Sequence, residues 1–175
     1  MFFARYWTLA VGHLPTTVDL MKQEHTPRLD FDRLAPMGFG KAMGALDAAS
    51  SAGGLEGPLC ELVRIHASQI NGCAYCIDMH TKDARAAGET EQRIYALPAW
   101  RETPCFTERE RAALALTEAV TVLTDGHVPD EVYEVAAKHF AETELAALLS
   151  VIIAINAWNR IGVAARPWEP GSYQP

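Results

Sequence analysis

The sequence lacks several features that would each point to a class of function. It has no cluster of lysine and arginine, and its formal net charge is −7, so neither a phosphate backbone nor an anionic membrane surface is an expected partner. It has no glycine-rich phosphate loop, short repeat or low-complexity tract. The apolar stretch Leu145–Trp158 is too short and too interrupted to span a bilayer. We therefore predict a protein that binds neither nucleic acid nor membrane.

The N-terminus lacks the pattern of a signal peptide. Residues 1–15 have no basic segment before their apolar run, Arg5 interrupts that run, and no small-residue cleavage site follows it. We therefore expect a cytoplasmic protein. Structural disulfides are rare in that compartment, where a CxxC pair is more often catalytic or metal-binding.

No stretch alternates apolar and polar residues as a half-buried strand does, whereas helical spacing of apolar residues runs from Asp30 onward. The pattern predicts an all-α fold of about seven helices. Glycine, proline and capping signals place them at 31–49 (ended by Gly53-Gly54), from Pro58 to Asn71-Gly72, at 73–87, from Thr90 to before Pro98, from a Thr107/Glu110 capping box to about 123, from Pro129 to 140, and at 144–165 with Thr143 as cap.

The length suits one domain with a sizeable core. We predict a helical domain over residues 28–175 and an N-terminal arm or extension over residues 1–27. The arm is rich in aromatic residues, which are costly to leave in water, so it lies over the domain or packs on a neighbouring subunit. These aromatic residues are Phe2, Phe3, Tyr6 and Trp7.

One stretch, Glu61–His80 (ELVRIHASQINGCAYCIDMH), concentrates reactive side chains. The Asn71-Gly72 turn puts Cys73 at the start of a helix. On that helix Cys73, Cys76 and His80 lie within about 60° of one another on one face. Cysteines at i and i+3 have Cα atoms about 5 Å apart, which a disulfide tolerates. The stretch therefore predicts a site.

The residue types point to thiol chemistry. A thiol is mostly protonated at neutral pH, but the first turn of a helix favours a thiolate, and His80 can take the proton of Cys76, one turn before it. Glu61 could orient the imidazole, and if buried it would have a raised pKa and could shuttle protons. Ser68, on the helix of Glu61, either donates to the site or packs in the core.

The pattern Glu61–x11–Cys73–x2–Cys76–x3–His80 resembles the core motif of the alkyl hydroperoxidase D-like branch of the carboxymuconolactone decarboxylase superfamily. The similarity covers roughly residues 28–166. It includes the flanking segments RIHASQINGCAYCIDMHTKDARAAGET, YALPAWRETPCFTERERAALALTEAVT and INAWNRIGVAAR.

The resemblance implies a helical fold that forms trimers or hexamers and reduces hydroperoxides with thiols. It implies that Cys76 attacks the peroxide, that Cys73 resolves the sulfenic acid as a disulfide, and that Glu61 and His80 form the proton relay. His80 lies one turn from Cys76 and nearly two from Cys73, which agrees with Cys76 as nucleophile. Tyr75 stands where the best-studied members carry a second histidine, and a phenol is not a base near pH 7.

The same resemblance implies a protein partner as reductant, either lipoyl-bearing or thioredoxin-like, and a small-molecule hydroperoxide as substrate. No bound cofactor is expected. Because members of the decarboxylase branch lack the cysteine pair, lactone decarboxylation is not expected.

Other interpretations of these residues stay open at this stage. Cys73, Cys76 and His80, with Glu61 or His66 as a fourth ligand, could bind a metal in a protein that senses metal or redox state without turnover. In a third interpretation, after the peroxidase and the sensor, the protein is a structural oligomer whose cysteines are incidental.

The remaining polar and thiol residues are assigned ordinary roles. We expect His66 to be structural because it points away from the site. We expect Cys60 to be a buried small residue and Cys105 a loop thiol. The charged residues that follow the motif are expected to form a solvated face; these are Asp78, Lys82 and Asp83.

Overall fold

The fold is built from helices joined by short loops. The structure, a computed structural model, describes residues 24–175, so residues 1–23 of the predicted arm lie outside the described residues. No strand occurs in residues 24–175, and the predicted all-α class is confirmed. These residues form seven α-helices, α1 Phe39–Ser51, α2 Gly57–Asn71, α3 Ala74–Ala86, α4 Glu91–Ala96, α5 Glu108–Thr121, α6 Asp130–His139 and α7 Glu142–Ala165, and two 3₁₀ segments, Phe31–Met37 and Leu97–Glu102.

Helix α7 is the centre of the fold, as its apolar composition predicts. It packs against α1, α2, α3, α5 and α6. The main core lies between α7 and its neighbours and includes Leu59, Val63, Leu116, Leu148 and Ile152. By length and composition α7 could cross a membrane, but the buried face of a core helix passes the same test. Its packing on five other helices is that of a core helix.

A second core lies on the other side of α2. There the α2 residues Leu62 and Ile65 meet Leu97, Trp100 and Leu114 from the 3₁₀ segment and α5. Helix α2 therefore has two apolar sides, one in each core, and burial of both sides fixes the rotation of the helix about its own axis. Its remaining stripe, which carries Glu61, faces α3.

Two predicted helix starts were wrong. The first predicted helix, 31–49, is divided: Gly38, with φ 72°, separates the 3₁₀ segment from α1, because a left-handed residue cannot continue a helix. Helix α7 begins at Glu142, so Thr143 lies within its first turn and is not the cap. The amide of Ala141 is instead satisfied by the Glu144 carboxylate at 2.8 Å. The capping box of Thr107 and Glu110 is confirmed.

The turn between α2 and α3 positions the cysteines. Gly72 adopts the left-handed conformation with φ 67°, and the Cys73 amide donates to the Ser68 carbonyl at 3.0 Å. Cys73 is therefore the N-cap of α3, and Cys76 lies in its first turn. The predicted CxxC at a helix N-terminus is confirmed.

The segment before the first 3₁₀ segment contacts the C-terminal end of α7, where the C-terminal residues of the chain begin. The Arg28 and Leu29 amides donate to the Ala165 carbonyl at 2.8 and 3.1 Å, and thereby satisfy an acceptor that the end of a helix leaves unpaired. After Arg166, with φ 50°, residues 166–175 turn back along α3. We call residues 166–175 the C-terminal tail.

Candidate active site

Cys73 and Cys76 are joined by a disulfide with a Cα–Cα distance of 5.3 Å. This agrees with the separation expected for i, i+3 cysteines at the start of a helix. Their exposed fractions are only 1 % and 3 %. The oxidised pair is therefore shielded from solvent in this structure.

Helix α7 forms the cover of the disulfide. Ile155 and Trp158 pack on the two cysteines together with Ala67 of α2. Gly162 makes the nearest approach: a Cβ atom built on it would lie 2.7 Å from the Cys73 sulfur and 3.5 Å from that of Cys76. A larger residue at this position requires a shift of either α7 or the disulfide.

Gly162 is a site residue that the sequence analysis did not identify. A signal was available, because a lone glycine inside an otherwise apolar helix weakens the helix and usually has a packing reason. The sequence does not say which neighbour requires it.

His80 and Glu61 form the second part of the site. His80 Nδ1 lies 2.9 Å from Glu61 Oε2, and the other carboxylate oxygen accepts a 2.6 Å hydrogen bond from Arg64 Nη1. Arg64 is itself held by the Ser51 hydroxyl of α1 at 2.8 Å. The structure thus brings Glu61 to the imidazole one turn past Cys76, and Glu61 pairs with Arg64 at the same time.

The expectation of a raised pKa at Glu61 was wrong. Burial does push the pKa of Glu61 upward, but the hydrogen bond and charge of His80, followed by those of Arg64, outweigh it and hold the pKa below its ordinary value. Glu61 is therefore a carboxylate at neutral pH. This suits it to orient His80 and to stabilise an imidazolium, and not to shuttle a proton.

Ser68 is fully buried in a polar cluster beside the disulfide. Its hydroxyl donates to the Arg64 carbonyl at 2.7 Å and accepts from Asn159 Nδ2 at 3.0 Å. Asn71 Nδ2 in turn donates to Asn156 and Asn159 at 3.0 Å each. These hydrogen bonds tie the end of α2 to α7, so the geometry favours a packing role for Ser68.

Tyr75 belongs to an aromatic cluster at the edge of the site. Its ring centroid lies 5.2 Å from that of Trp168 in the C-terminal tail. Trp168 also contacts Trp158 at 5.9 Å and Phe31 at 5.3 Å. Burial, followed by the charges of neighbouring aspartates, raises the pKa of Tyr75, so its hydroxyl stays protonated. Tyr75 is positioned as part of a hydrophobic wall and not as a base.

The supposed solvated face of α3 is instead partly covered, because the C-terminal tail docks on it. Asp78 accepts from the Gly171 amide at 3.0 Å, and Lys82 donates to the Tyr173 carbonyl at 2.9 Å. Tyr173 donates its hydroxyl to Asp83 at 2.8 Å. The three charged residues were therefore misassigned, since the partner segment is far away in sequence.

His66 points away from the thiols, as expected. Its Nε2 lies 2.8 Å from Glu118, which also accepts hydrogen bonds from Trp100 and Arg101. Despite the opposing effect of burial, these donors lower the pKa of Glu118 to about 2. Cys60 is buried on α2, and burial raises the pKa of its thiol, which keeps it unreactive.

The geometry of the site argues against the metal-binding alternative. It needs two thiolates, which are joined here as a disulfide, and His66 is engaged with Glu118. Within residues 24–175 one other group could converge on a cation: Glu61, His80 and Asp83 each have a donor atom within 4.8 Å of the others. The hydrogen bonds to Arg64 and His80 already use both oxygens of Glu61.

Fold and site together define a helical protein with a CxxC disulfide at a helix N-terminus. The model of the carboxymuconolactone decarboxylase family matches residues 38–119. The uncharacterised protein YdfG of Bacillus subtilis is 43 % identical over 137 residues, which are 78 % of this chain and 92 % of YdfG. The uncharacterised protein YnjA of Escherichia coli is 32 % identical over 93 residues, 51 % of this chain and 50 % of YnjA.

Solved structures agree with these matches. A protein of unknown function from Agrobacterium tumefaciens, described as a candidate antioxidant defence protein AhpD, is 40 % identical with a TM-score of 0.78, over 83 % of this chain and 99 % of its own. An uncharacterised peroxidase-related protein from Ralstonia eutropha, described as an alkylhydroperoxidase AhpD core, shares the fold at 21 % identity and a TM-score of 0.67, over 80 % of this chain and 75 % of its own. The chain belongs to the carboxymuconolactone decarboxylase family, in its alkyl hydroperoxidase D-like branch.

Proposed function

We propose that the protein reduces hydroperoxides through a dithiol–disulfide cycle of Cys73 and Cys76. The observation that carries the proposal is a buried Cys73–Cys76 disulfide whose second cysteine lies one turn before a hydrogen-bonded His80–Glu61 pair. The similarity to the Agrobacterium tumefaciens protein that is described as a candidate antioxidant defence protein AhpD supports it.

The first step is attack by the Cys76 thiolate on one oxygen of the peroxide. An S–O bond forms, the O–O bond breaks, and the departing alkoxide takes a proton and leaves as an alcohol. Cys76 is oxidised to a sulfenic acid. The Cys73 thiol then attacks that sulfur, an S–S bond forms, and hydroxide leaves with a proton as water. Two electrons have passed from the thiols to the peroxide.

His80 and Glu61 supply the proton chemistry in this proposal. His80 accepts the proton of Cys76 and returns it to the leaving alkoxide. The ionised Glu61 stabilises the imidazolium in between, as the third member of a triad does. The first turn of α3 offers amide groups and a partial positive charge that favour the thiolate.

A dithiol must return the disulfide to two thiols by exchange. We propose a lipoyl-bearing or thioredoxin-like protein as its source, a homo-oligomer (trimer or hexamer) as the working form, and the cytoplasm as the compartment. The motif resemblance supports the reductant and the homo-oligomer, and a CxxC pair that acts in catalysis fits the cytoplasm, where structural disulfides are rare.

A single-turnover reaction tests the function. Reduced protein is mixed with one equivalent of cumene hydroperoxide, free thiols are counted before and after, and the modified peptide is mapped by mass spectrometry. We expect loss of two thiols per chain and a Cys73–Cys76 disulfide. Unchanged thiols would refute the proposal.

A redox sensor with the same disulfide is the second candidate function. It is favoured by the burial of both sulfurs, since a protein reductant cannot touch them unless α7 or the tail moves. The two functions differ in turnover: with excess dihydrolipoamide, a peroxidase consumes many equivalents of peroxide per chain, whereas a sensor consumes one.

A further inference from the structure

Asp83 and Tyr173 are two polar side chains that the proposed cycle does not use, although they lie beside it. Asp83 follows His80 by three residues on α3, so the two side chains lie on neighbouring parts of one helix face. A carboxylate oxygen of Asp83 lies within 4.8 Å of donor atoms of both His80 and Glu61. Two acidic groups therefore lie close to the imidazole.

The C-terminal tail holds Asp83 in that place. Tyr173 donates its hydroxyl to Asp83 Oδ1 at 2.8 Å. The tail is fixed on both sides of this contact, by the Gly171 amide on Asp78 and by Lys82 on the Tyr173 carbonyl. Trp168 anchors its beginning in the aromatic cluster with Tyr75. These contacts make Asp83 a carboxylate with a defined direction.

We propose that Asp83, oriented by Tyr173 of the C-terminal tail, is a positioning residue that stabilises the protonated form of His80. The inference rests on the proposed function for the role of His80 as proton acceptor. Its consequence is that the tail completes the relay, so that undocking of the tail weakens thiolate formation at Cys76.

Distance determines whether the Asp83 charge favours or opposes thiolate formation at Cys76. The Asp83 charge favours an imidazolium within 4.8 Å. It opposes the Cys76 thiolate too, but Cys76 is seven residues away on the helix, roughly 10 Å. The nearer interaction dominates, so Asp83 favours the pair of thiolate and imidazolium over the neutral pair.

The other charged groups around His80 are engaged elsewhere. On α2, Arg64 is bound to Glu61 and Ser51, and on α3 Lys82 is bound to Asp78 and the tail. On α7, Arg160 donates to Asn156. Within residues 24–175, the acidic groups that lie close to the imidazole are therefore Glu61 and Asp83, and Tyr173 reaches it only through its hydrogen bond to Asp83.

The test is the pH profile of Cys76 alkylation by iodoacetamide, measured in the Cys73→Ser background with peptide mass spectrometry to separate Cys105. No peroxide is involved, so a failed peroxidase assay would leave this result standing. We expect Asp83→Asn to slow alkylation at pH 7 about threefold to tenfold and to move the half-rise to higher pH. Tyr173→Phe should do the same to a smaller extent.

Two comparisons make the result decisive. Asp78→Asn removes a negative charge from the same helix but keeps a side-chain oxygen that can accept from the Gly171 amide, so the tail stays docked, Asp83 stays in place and the pH profile should be that of the parent. In the double variant, Asp83→Asn with Tyr173→Phe, the effect should equal that of Asp83→Asn alone, because Tyr173 acts through Asp83. An Asp83→Asn profile identical to that of Asp78→Asn, or additive effects in the double variant, would overturn the proposal.

Discussion

His80 Nδ1 and Glu61 Oε2 lie 2.9 Å apart, and this hydrogen bond joins α3 to α2 beside the disulfide. Because Nδ1 is engaged with the carboxylate, Nε2 is the ring nitrogen left to exchange a proton. Glu61 keeps its charge because Arg64 holds the other oxygen. The pair thus unites an ionised carboxylate and an imidazole one turn from Cys76.

The two cysteines are expected to have different roles. Cys76→Ser should abolish peroxide consumption, whereas Cys73→Ser should allow one fast turnover that ends in a sulfenic acid, because no resolving thiol remains. Stopped-flow peroxide assays and dimedone labelling measure both outcomes. Cys60→Ser is the matched control, since Cys60 is buried away from the disulfide. The reverse behaviour of the two variants would exchange the assigned roles.

Glu61→Gln should slow thiolate formation. Loss of the carboxylate makes the protonated imidazole less stable, so we expect the half-rise of Cys76 alkylation to move to higher pH and the rate at pH 7 to fall about tenfold. Glu118→Gln is the control, because it breaks an equivalent histidine–carboxylate pair on the far side of α2. An unchanged profile for Glu61→Gln would remove Glu61 from the mechanism.

Gly162→Ala should interfere with the oxidised state. The new methyl group would lie 2.7 Å from the Cys73 sulfur, so either α7 or the disulfide must shift. We expect a loss of about 1–3 kcal/mol in the free energy of unfolding of the oxidised protein, measured in urea, and a smaller disulfide yield in the single-turnover reaction. Gly44→Ala on α1 meets no atom within 4 Å and should be neutral or stabilising. Equal stabilities of the two variants would contradict the close packing of Gly162.

Glu118 should make stability depend on acid pH. Its pKa is lowered from 4.5 to about 2, so it stabilises the fold fully above about pH 4.5, and this contribution is lost as the pH falls towards 2. With a discount for its partial exposure, the contribution is about 2 kcal/mol. In urea unfolding, the difference between the wild type and Glu118→Gln should therefore be largest at neutral pH and shrink below pH 4. A constant difference would show that protonation of Glu118 is not its cause.

Much of the site was predictable because its spacing is local. Cys73, Cys76 and His80 share one helix, and the Asn71-Gly72 turn that starts this helix is readable in the sequence. The capping box at Thr107 is equally local. These features depend on residues a few positions apart, where helix geometry alone determines proximity.

The parts that were missed depend on segments distant in sequence. Burial raises the pKa of Glu61, but His80, 19 residues away on another helix, and then the neighbouring Arg64 lower it by more. The contacts of Gly162 with the disulfide and of Tyr173 with Asp83 join segments about 90 residues apart. No spacing rule reveals such contacts, since they arise only when α7 and the tail are packed in place.

The packing of Trp158 on the two cysteines gives the protein a built-in optical reporter. A disulfide in contact with an indole quenches its emission, and a dithiol does so less strongly. Trp168, 5.9 Å from Trp158, extends the reporter into the tail. Reduction should therefore brighten the tryptophan emission, and each turn of the proposed redox cycle could be followed in real time without an added dye.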